Sequence, residues 1–187
     1  WCHDGGRTIG WELALQYEVA QSTREHPALL DRLFVQVGGG ALASCAWSGA
    51  ADQANVPMLH AVQAEGCAPL VRAWQRANSL AGGVAAAGAH WRECMVPWES
   101  EPASLADGIL DDETYDWLPV LEAMDDGHGA PVVVGEPHVL EANDLALRVA
   151  GVDASHTGSA GLAGLLALRA DVRPDERVAV VLSGIRR

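Results

Sequence analysis

Residues 33–40 constrain the fold more than any other part of the sequence. Leu33-Phe34-Val35-Gln36-Val37 is a short apolar run, and Gly38-Gly39-Gly40 follows it directly. An apolar run of this length that ends in glycines is typical of a buried strand. Residues 41–55 are rich in alanine and other small residues, which favours a helix. The pattern predicts a strand, a tight glycine turn and a helix, as in an α/β fold.

The same alternation of strands and helices continues along the chain. We expect further strands over residues 58–64, 131–134 and 177–182. We expect further helices over residues 8–21, 70–77, 111–126, 137–149 and 157–170. This order favours a three-layer α/β fold, with a mostly parallel sheet and helices on both faces. The chain has 187 residues and no visible repeat or linker, so we expect one domain over residues 1–187.

Charge and residue spacing exclude several classes of function. The formal net charge of −13 disfavours nucleic acid and anionic membranes as partners. No run of about 18 apolar residues is present, so no membrane span is predicted. The four cysteines lack CxxC spacing, and the seven histidines include no HxxxH or HxH pair. We therefore expect a cytoplasmic protein with neither a metal site nor a disulfide framework.

The chain contains no lysine, since all twelve basic residues are arginine. An aldehyde cofactor forms its Schiff base with a lysine amine, so this chain cannot form one by itself. The N-terminal residues Trp1-Cys2-His3-Asp4-Gly5 include no initiator methionine and no signal-peptide pattern. We therefore expect the chain to be part of a longer protein and to begin at an internal position of it.

Two positions at the ends of predicted strands are candidates for ligand binding. Residues 38–40 lie between a strand and a helix N-terminus, where backbone N–H groups and the helix dipole favour an anion. The loop has neither P-loop nor GxGxxG spacing, so no nucleotide motif is indicated. Ser183-Gly184 follows the last predicted strand, at the edge where open α/β sheets bind ligands. A plain turn without a ligand is the alternative at both positions.

Six segments span almost the whole chain: DGGRTIGWE (4–12), VQVGGGAL (35–42), AVQAEGCAPLVRAW (61–74), SLADGI (104–109), TGSAGLAGL (157–165) and DERVAVVLSG (175–184). In their order and spacing, these segments resemble threonine synthases, which are fold type II pyridoxal-phosphate enzymes. SLADGI is similar to the stretch that lines the site in the related threonine dehydratases.

This resemblance implies pyridoxal 5'-phosphate as the cofactor and assigns a role to several residues. Ser183 would hydrogen-bond the pyridine nitrogen, and Asp107 and Gly108 would lie near the substrate. A neutral hydroxyl partner would leave that nitrogen largely unprotonated, which suits elimination or replacement at the β or γ carbon. The residues that would donate backbone N–H groups to the cofactor phosphate are Gly38, Gly39, Gly40, Ala41 and Leu42.

The resemblance also implies that the chain is the C-terminal portion of a lyase that acts on an amino acid. The family's Schiff-base lysine and its loop for the substrate carboxylate would lie upstream of Trp1, so the chain alone is expected to be inactive. The full-length protein would be a homo-oligomer, most simply a dimer. Residues 111–117 depart from a typical threonine synthase, which leaves the substrate open between hydroxy- and phosphohydroxy-amino acids.

Three alternatives stay open at this point. The parent could be a threonine or serine dehydratase, or a cysteine-synthase-like lyase. The chain could also be a non-catalytic remnant that binds a phosphate ligand or a partner chain, which the absence of lysine favours. A plain α/β interaction domain without a ligand is the third alternative.

Overall fold

A four-stranded parallel sheet lies at the centre of the fold. The computed structural model describes residues 2–20 and 29–185. The strands are β1 (Arg32–Gln36), β2 (Met58–Ala64), β3 (Ala130–Val134) and β4 (Val178–Val180). Their order across the sheet is β3-β2-β1-β4, and each neighbouring pair is parallel. The carboxyl ends of all four strands therefore lie at one edge of the sheet.

Helices connect the strands and cover both faces of the sheet. Besides the α-helices, the described residues include short 3-10 helices at Gly88–His90 and Asp107–Ile109. The α-helices in the described part of the chain are α1 (Cys2–Gly6), α2 (Thr8–Ala20), α3 (Ala41–Asp52), α4 (Pro69–Ser79), α5 (Val84–Ala87), α6 (Trp91–Cys94), α7 (Trp117–Asp126), α8 (Glu136–Ala150) and α9 (His156–Ala167).

Alternate residues of the strands form two separate cores. Leu33 and Val35 of β1 belong to one core, which contains buried residues of α3, α4 and α7. Phe34 of β1 and Val62 of β2 belong to the other core, which contains buried residues of α8 and α9. A parallel sheet needs cover on both faces, which explains the nearly unbroken apolar character of β1 and β2. The structure therefore confirms the predicted three-layer α/β fold.

Helix α9 lies unusually close to the sheet because one side of it is made of glycine. A side chain at Gly164 would run into Val62, and one at Gly158 would run into the backbone of Ser183. A Cβ atom at Gly161 would lie 3.0 Å from the side-chain oxygen of Gln36. The small residues that predicted this helix therefore serve close packing against β1, β2 and the end of β4.

Several predicted boundaries were wrong. The helix predicted over residues 111–126 begins only at Trp117. Residues 111–116 instead form a loop, because the Asp116 N–H donates to the Gly39 carbonyl at 2.8 Å, a tertiary contact that overrides local helix propensity. The helix predicted over residues 41–55 ends at Asp52, and Ala54 follows with a φ of 57°. Residues 4–6, which the sequence predicts as a loop before the first long helix, belong to helix α1.

Other predicted elements have small differences. The strand predicted over residues 177–182 pairs as a strand only at Val178–Val180, although the Val181 N–H still donates to the Phe34 carbonyl at 3.1 Å. The helix predicted over residues 157–170 ends at Ala167. The predicted end of the first long helix, at residue 21, lies outside the described residues.

A polar cluster joins β1 to the segment before β4 at the amino-terminal edge of the sheet. Arg32 Nε donates to Glu176 Oε2 at 2.7 Å, and the Glu176 side chain is fully buried. His60 stacks on the Phe34 ring with centroids 4.5 Å apart, and its Nε2 atom lies 3.3 Å from an Arg32 nitrogen. Burial, and secondarily the Arg32 charge, lower the pKa of His60 to about 4. The hydrogen bond from Arg32 lowers the pKa of the Glu176 carboxyl.

The depressed pKa of His60 predicts a pH dependence of stability. The unfolded chain binds a proton at this histidine near its ordinary pKa of 6.5, whereas the folded chain resists protonation until about pH 4. Folding stability is therefore fully present above pH 6.5 and falls as the pH decreases toward 4. We expect a loss of about 2 kcal/mol between about pH 7.5 and about pH 5 from this residue. Urea unfolding of the chain at the two pH values measures the loss.

The matched variants are His60→Gln and His90→Gln, since His90 is a partly exposed histidine on the surface. The first substitution should remove most of the pH-dependent loss, and the second should keep it. Equal pH dependence in His60→Gln and in the unsubstituted chain would contradict the account.

Candidate functional site

The glycine loop, residues 37–40, turns the chain from the carboxyl end of β1 into α3. Gly40 has a φ of 98°, which glycine adopts without the steric cost that a side chain would add. Helix α3 begins at Ala41 immediately after this turn. The N–H groups in the first turn of a helix have no partner within the helix, so they are available to a ligand here.

Three carbonyl groups of the glycine loop accept hydrogen bonds from the protein, and the Val37 N–H donates to the Val62 carbonyl at 2.8 Å. The Val37 carbonyl accepts from Gln63, the Gly39 carbonyl from Asp116, and the Gly40 carbonyl from Ser44. Within the described part of the chain, no backbone N–H of residues 38–42 donates to a protein acceptor. Consecutive free donors at a helix N-terminus can bind an anion such as phosphate.

Gln63 holds the glycine loop from behind. Its side chain is buried on β2, and its amide donates to the Val37 carbonyl at 3.3 Å and to Thr114 Oγ1 at 3.2 Å. Its side-chain oxygen accepts from the Leu70 N–H at 2.9 Å. Both donors and the acceptor of the amide are therefore used. One buried side chain joins the glycine loop, the segment before α7 and the start of α4.

Residues 111–116, which we term the cover loop, pack against the glycine loop. A Cβ atom on Gly38 would lie 2.6 Å from the Asp111 carboxylate, and one on Gly40 would lie 3.1 Å from Thr114. A larger residue at either position would therefore require the facing side chains of the cover loop to shift. Because like charges repel, we expect an anion on the side of the glycine loop that faces away from Asp111.

Cys67 lies beside the cover loop, and its thiol is not set up as a nucleophile. Its sulfur donates to the Asp111 backbone carbonyl at 3.2 Å. Burial first, and then the nearby carboxylates of Asp112 and Asp111, raise the pKa of the Cys67 thiol. A thiol that resists ionisation is a poor nucleophile and a poor metal ligand.

Ser183 lies next to the strand that carries the glycine loop. The Ser183 N–H donates to the Gly158 carbonyl at 3.0 Å, and Gly184 turns the chain away with a φ of 66°. The Ser183 hydroxyl oxygen accepts a hydrogen bond from the side-chain amide of Gln36. Gln36 is the last residue of β1, two positions before Gly38. The two sequence-predicted binding elements are therefore neighbours at one edge of the sheet.

Asp107 and Gly108 lie at the same edge, in the 3-10 turn. The Gly108 N–H donates to Thr157 Oγ1 at 2.9 Å, and Thr157 donates to the Asp107 carboxylate at 3.3 Å. Thr157 precedes Gly158, the residue that binds the Ser183 backbone. Asp107 also lines a groove of about 740 Å³ beside α8. No residue of the range 38–42 is among those that line the groove.

Nowhere in residues 2–20 and 29–185 do three His, Cys, Asp or Glu side chains come together in a way that could hold a metal ion. The helices of the described segments are all too short or too polar to cross a membrane.

Sequence reasoning missed both glutamines of the site. Gln36 and Gln63 are buried at the carboxyl ends of β1 and β2. The available signal was a polar amide inside each of two apolar strand runs, because such a residue needs a specific partner when it is buried. The partners themselves are distant in sequence, so the spacing does not reveal them.

Residues 3–184 match the family described as pyridoxal-phosphate dependent enzyme. The chain therefore belongs to this family, and pyridoxal phosphate is the cofactor on which the family depends. A search of curated proteins found no match.

Solved structures with the same fold include two threonine deaminases and a serine racemase. A threonine deaminase from T.th. has a TM-score of 0.73 at 23% identity, over 99% of this chain and 58% of that chain. Maize serine racemase has a TM-score of 0.68 at 18% identity, over 100% of this chain and 50% of that chain. The processed threonine deaminase isoform 2 of Solanum lycopersicum has a TM-score of 0.71 at 17% identity, over 99% of this chain and 46% of that chain.

These similarities confirm the expected fold of type II pyridoxal-phosphate enzymes. The chain spans about half the length of the solved structures that it matches. Those structures are threonine deaminases and a racemase, so the narrower resemblance to threonine synthases stays a prediction.

Replacing Gln63 tests whether one amide holds the site together. Gln63→Met keeps the length of the side chain but leaves the Val37 carbonyl and the Leu70 N–H without their partner. We expect a loss of about 2 kcal/mol in the free energy of unfolding, from urea denaturation. Gln75→Met, at an exposed position on α4, is the matched control and should change stability little. Similar small effects of the two substitutions would contradict the role of Gln63.

Proposed function

We propose that this chain forms the phosphate- and ring-binding part of the site of a pyridoxal-phosphate-dependent lyase. The enzyme acts on an amino acid by elimination or replacement at the β or γ carbon. The observation that carries the proposal is the set of N–H groups at residues 38–42, which have no acceptor in the described part of the chain, while the carbonyls of Val37, Gly39 and Gly40 are bonded to the protein. A phosphate dianion satisfies such donors and also interacts favourably with the N-terminal end of the dipole of α3.

The space around the glycine loop fits a phosphate held by backbone groups. Gly40 has a φ of 98°, which favours glycine, and a Cβ atom there would lie 3.1 Å from Thr114. Bare backbone lets the N–H groups approach an anion closely. In our proposal residues 38–42 bind the cofactor phosphate through these groups and thereby fix one end of the cofactor.

Ser183 is proposed as the partner of the cofactor ring nitrogen. When it is bound, pyridoxal phosphate supplies an electron sink for a carbanion at the substrate α carbon. The Ser183 hydroxyl is neutral and donates a hydrogen bond without forcing a proton onto the ring nitrogen. Such a partner supports elimination or replacement better than transamination.

Asp107 and Gly108 are proposed to lie on the substrate side of the site. Thr157 bonds both residues, so the turn that carries them is held in one place beside Ser183. The names of the similar structures, which include threonine deaminase and an L-serine ammonia-lyase, support a hydroxyamino acid as the substrate class. A phosphohydroxyamino acid is the other substrate class that the proposal includes.

The absence of lysine favours a second candidate function. In that case the chain binds a phosphate ligand or a partner chain and takes no part in catalysis. In the lyase proposal, a lysine from the remainder of the enzyme supplies the amine, and the complete enzyme is a homo-oligomer. Release of a 2-oxo acid from L-threonine or L-serine by the lysine-containing enzyme would support the lyase. Inversion at the α carbon alone would support a racemase, and no turnover would support the second candidate.

A charge placed at Ala41 tests the phosphate site without disturbing the core. Ala41 is exposed and is the first residue of α3. Ala41→Glu puts a carboxylate where the helix dipole favours it, so the stability of the chain should be unchanged or slightly higher. The same carboxylate repels a phosphate at the loop, and we expect about tenfold weaker binding of pyridoxal phosphate. Fluorescence titration of the chain measures the affinity.

Ala41→Gln is the matched control, because it adds nearly the same volume without charge. It should bind pyridoxal phosphate almost as well as the unsubstituted chain. Added salt should reduce the difference in affinity between the Glu and Gln variants, because salt screens the repulsion. Equal affinity in the Glu and Gln variants at low salt would overturn the phosphate site.

A further inference from the structure

The two buried glutamines of the site differ in how fully they are bonded. Gln63 uses both of its donors and its acceptor within the protein. Gln36 is also buried, at 4% exposure, but its side-chain oxygen has no hydrogen-bond partner within the described residues. A buried polar atom without a partner is rare in a stable fold and calls for an explanation. The incomplete bonding of Gln36 costs stability, so a role in stabilising the fold does not by itself explain this residue.

The hydrogen bond that Gln36 does make goes to Ser183. β1 and β4 pair in parallel through Phe34 and Val180, and the Val181 N–H donates to the Phe34 carbonyl. This register places the end of β1 beside the residues that follow β4. The Gln36 amide nitrogen spans the remaining gap and donates to the Ser183 hydroxyl oxygen.

Helix α9 fixes the direction in which the Gln36 side chain points. A Cβ atom on Gly161 would lie 3.0 Å from the Gln36 side-chain oxygen and 3.2 Å from the Phe34 carbonyl. Glycine at this position therefore leaves room for the amide but little freedom to move. The amide nitrogen is held toward Ser183 and the amide oxygen toward α9.

This arrangement determines what the Ser183 hydroxyl can offer to a ligand. A serine hydroxyl has one proton to donate and two lone pairs that accept. Because Gln36 donates to the Ser183 oxygen, it occupies a lone pair and leaves the hydroxyl proton unused. We propose that Gln36 is a positioning residue that orients the Ser183 hydroxyl as a hydrogen-bond donor to the cofactor ring nitrogen. The inference rests on the proposed function, in which Ser183 faces that nitrogen.

The proposal explains why an amide is suited to position 36. A carboxylate there would accept the Ser183 proton and take it away from the ring nitrogen. A methionine would fill the same space but would leave the hydroxyl free to rotate. Both changes should impair recognition of the ring nitrogen, although they differ in charge.

Binding of two ligands tests this role directly. The ligands are pyridoxal phosphate and its 1-deaza analogue, in which carbon replaces the ring nitrogen. The unsubstituted chain should bind pyridoxal phosphate about fivefold more tightly than the analogue, as one hydrogen bond provides. Gln36→Met, Gln36→Glu and Ser183→Ala should each reduce that preference to nearly one. The double variant Gln36→Met with Ser183→Ala should show no further reduction, because the two residues act through one hydrogen bond.

The outcomes separate this inference from the proposed function. The inference would be overturned if Gln36→Met kept the preference of about fivefold for pyridoxal phosphate. Equally weakened binding of both ligands would have the same meaning, because it indicates a merely structural role for Gln36. Gln53→Met, at an exposed site, should leave the preference unchanged. Failure of the unsubstituted chain to bind either ligand would overturn the proposed function and this inference together.

A second measurement needs neither a ligand nor a substitution at position 36. The side-chain amide protons of Gln36 should give NMR signals that exchange slowly with water. In the ligand-free chain these signals should shift when Ser183 is replaced by alanine. Signals that stay unchanged in Ser183→Ala would overturn the inference even if the Gln36 variants failed to fold.

Discussion

The glycine loop can serve as an anion site because three of its carbonyl groups, those of Val37, Gly39 and Gly40, are held by the rest of the protein. Gln63 binds the Val37 carbonyl, and the Asp116 N–H binds the Gly39 carbonyl. With these acceptors engaged, the N–H groups of residues 38–42 are left without a protein acceptor in the described part of the chain. A loop with unbonded carbonyls could rotate its peptide planes and present negative rather than positive dipoles to a ligand.

The parallel sheet supplies the framework for this site. All four strands end at one edge, which places the glycine loop after β1, Gln63 at the end of β2 and Ser183 after β4. Helix α9 completes the arrangement because its glycines let it lie directly on β1 and on the Ser183 backbone. The polar cluster of Arg32, His60 and Glu176 stabilises the opposite edge, away from the site.

The sequence predicted the parts of this site that depend on local patterns. The order of strands and helices, the glycine loop and the position of Ser183 all follow from short runs of residues and their spacing. The bonds of Gln36 and Gln63 depend on which strands are neighbours, and they join residues up to 147 positions apart. The cover loop was predicted as the start of a helix because its local pattern favours one. The bond from Asp116 to Gly39 and the burial of Thr114 oppose that propensity, and both appear only in the folded chain.

The central claim is that backbone N–H groups of residues 38–42 receive a phosphate. The most direct measurement is a titration of the ¹⁵N-labelled chain with inorganic phosphate, followed by amide NMR. The account predicts that the largest downfield shifts of amide protons occur at residues 38–42, with little change at the N-terminus of α8, another long helix. Shifts that spread evenly over helix N-termini, or that spare residues 38–42, would contradict the account.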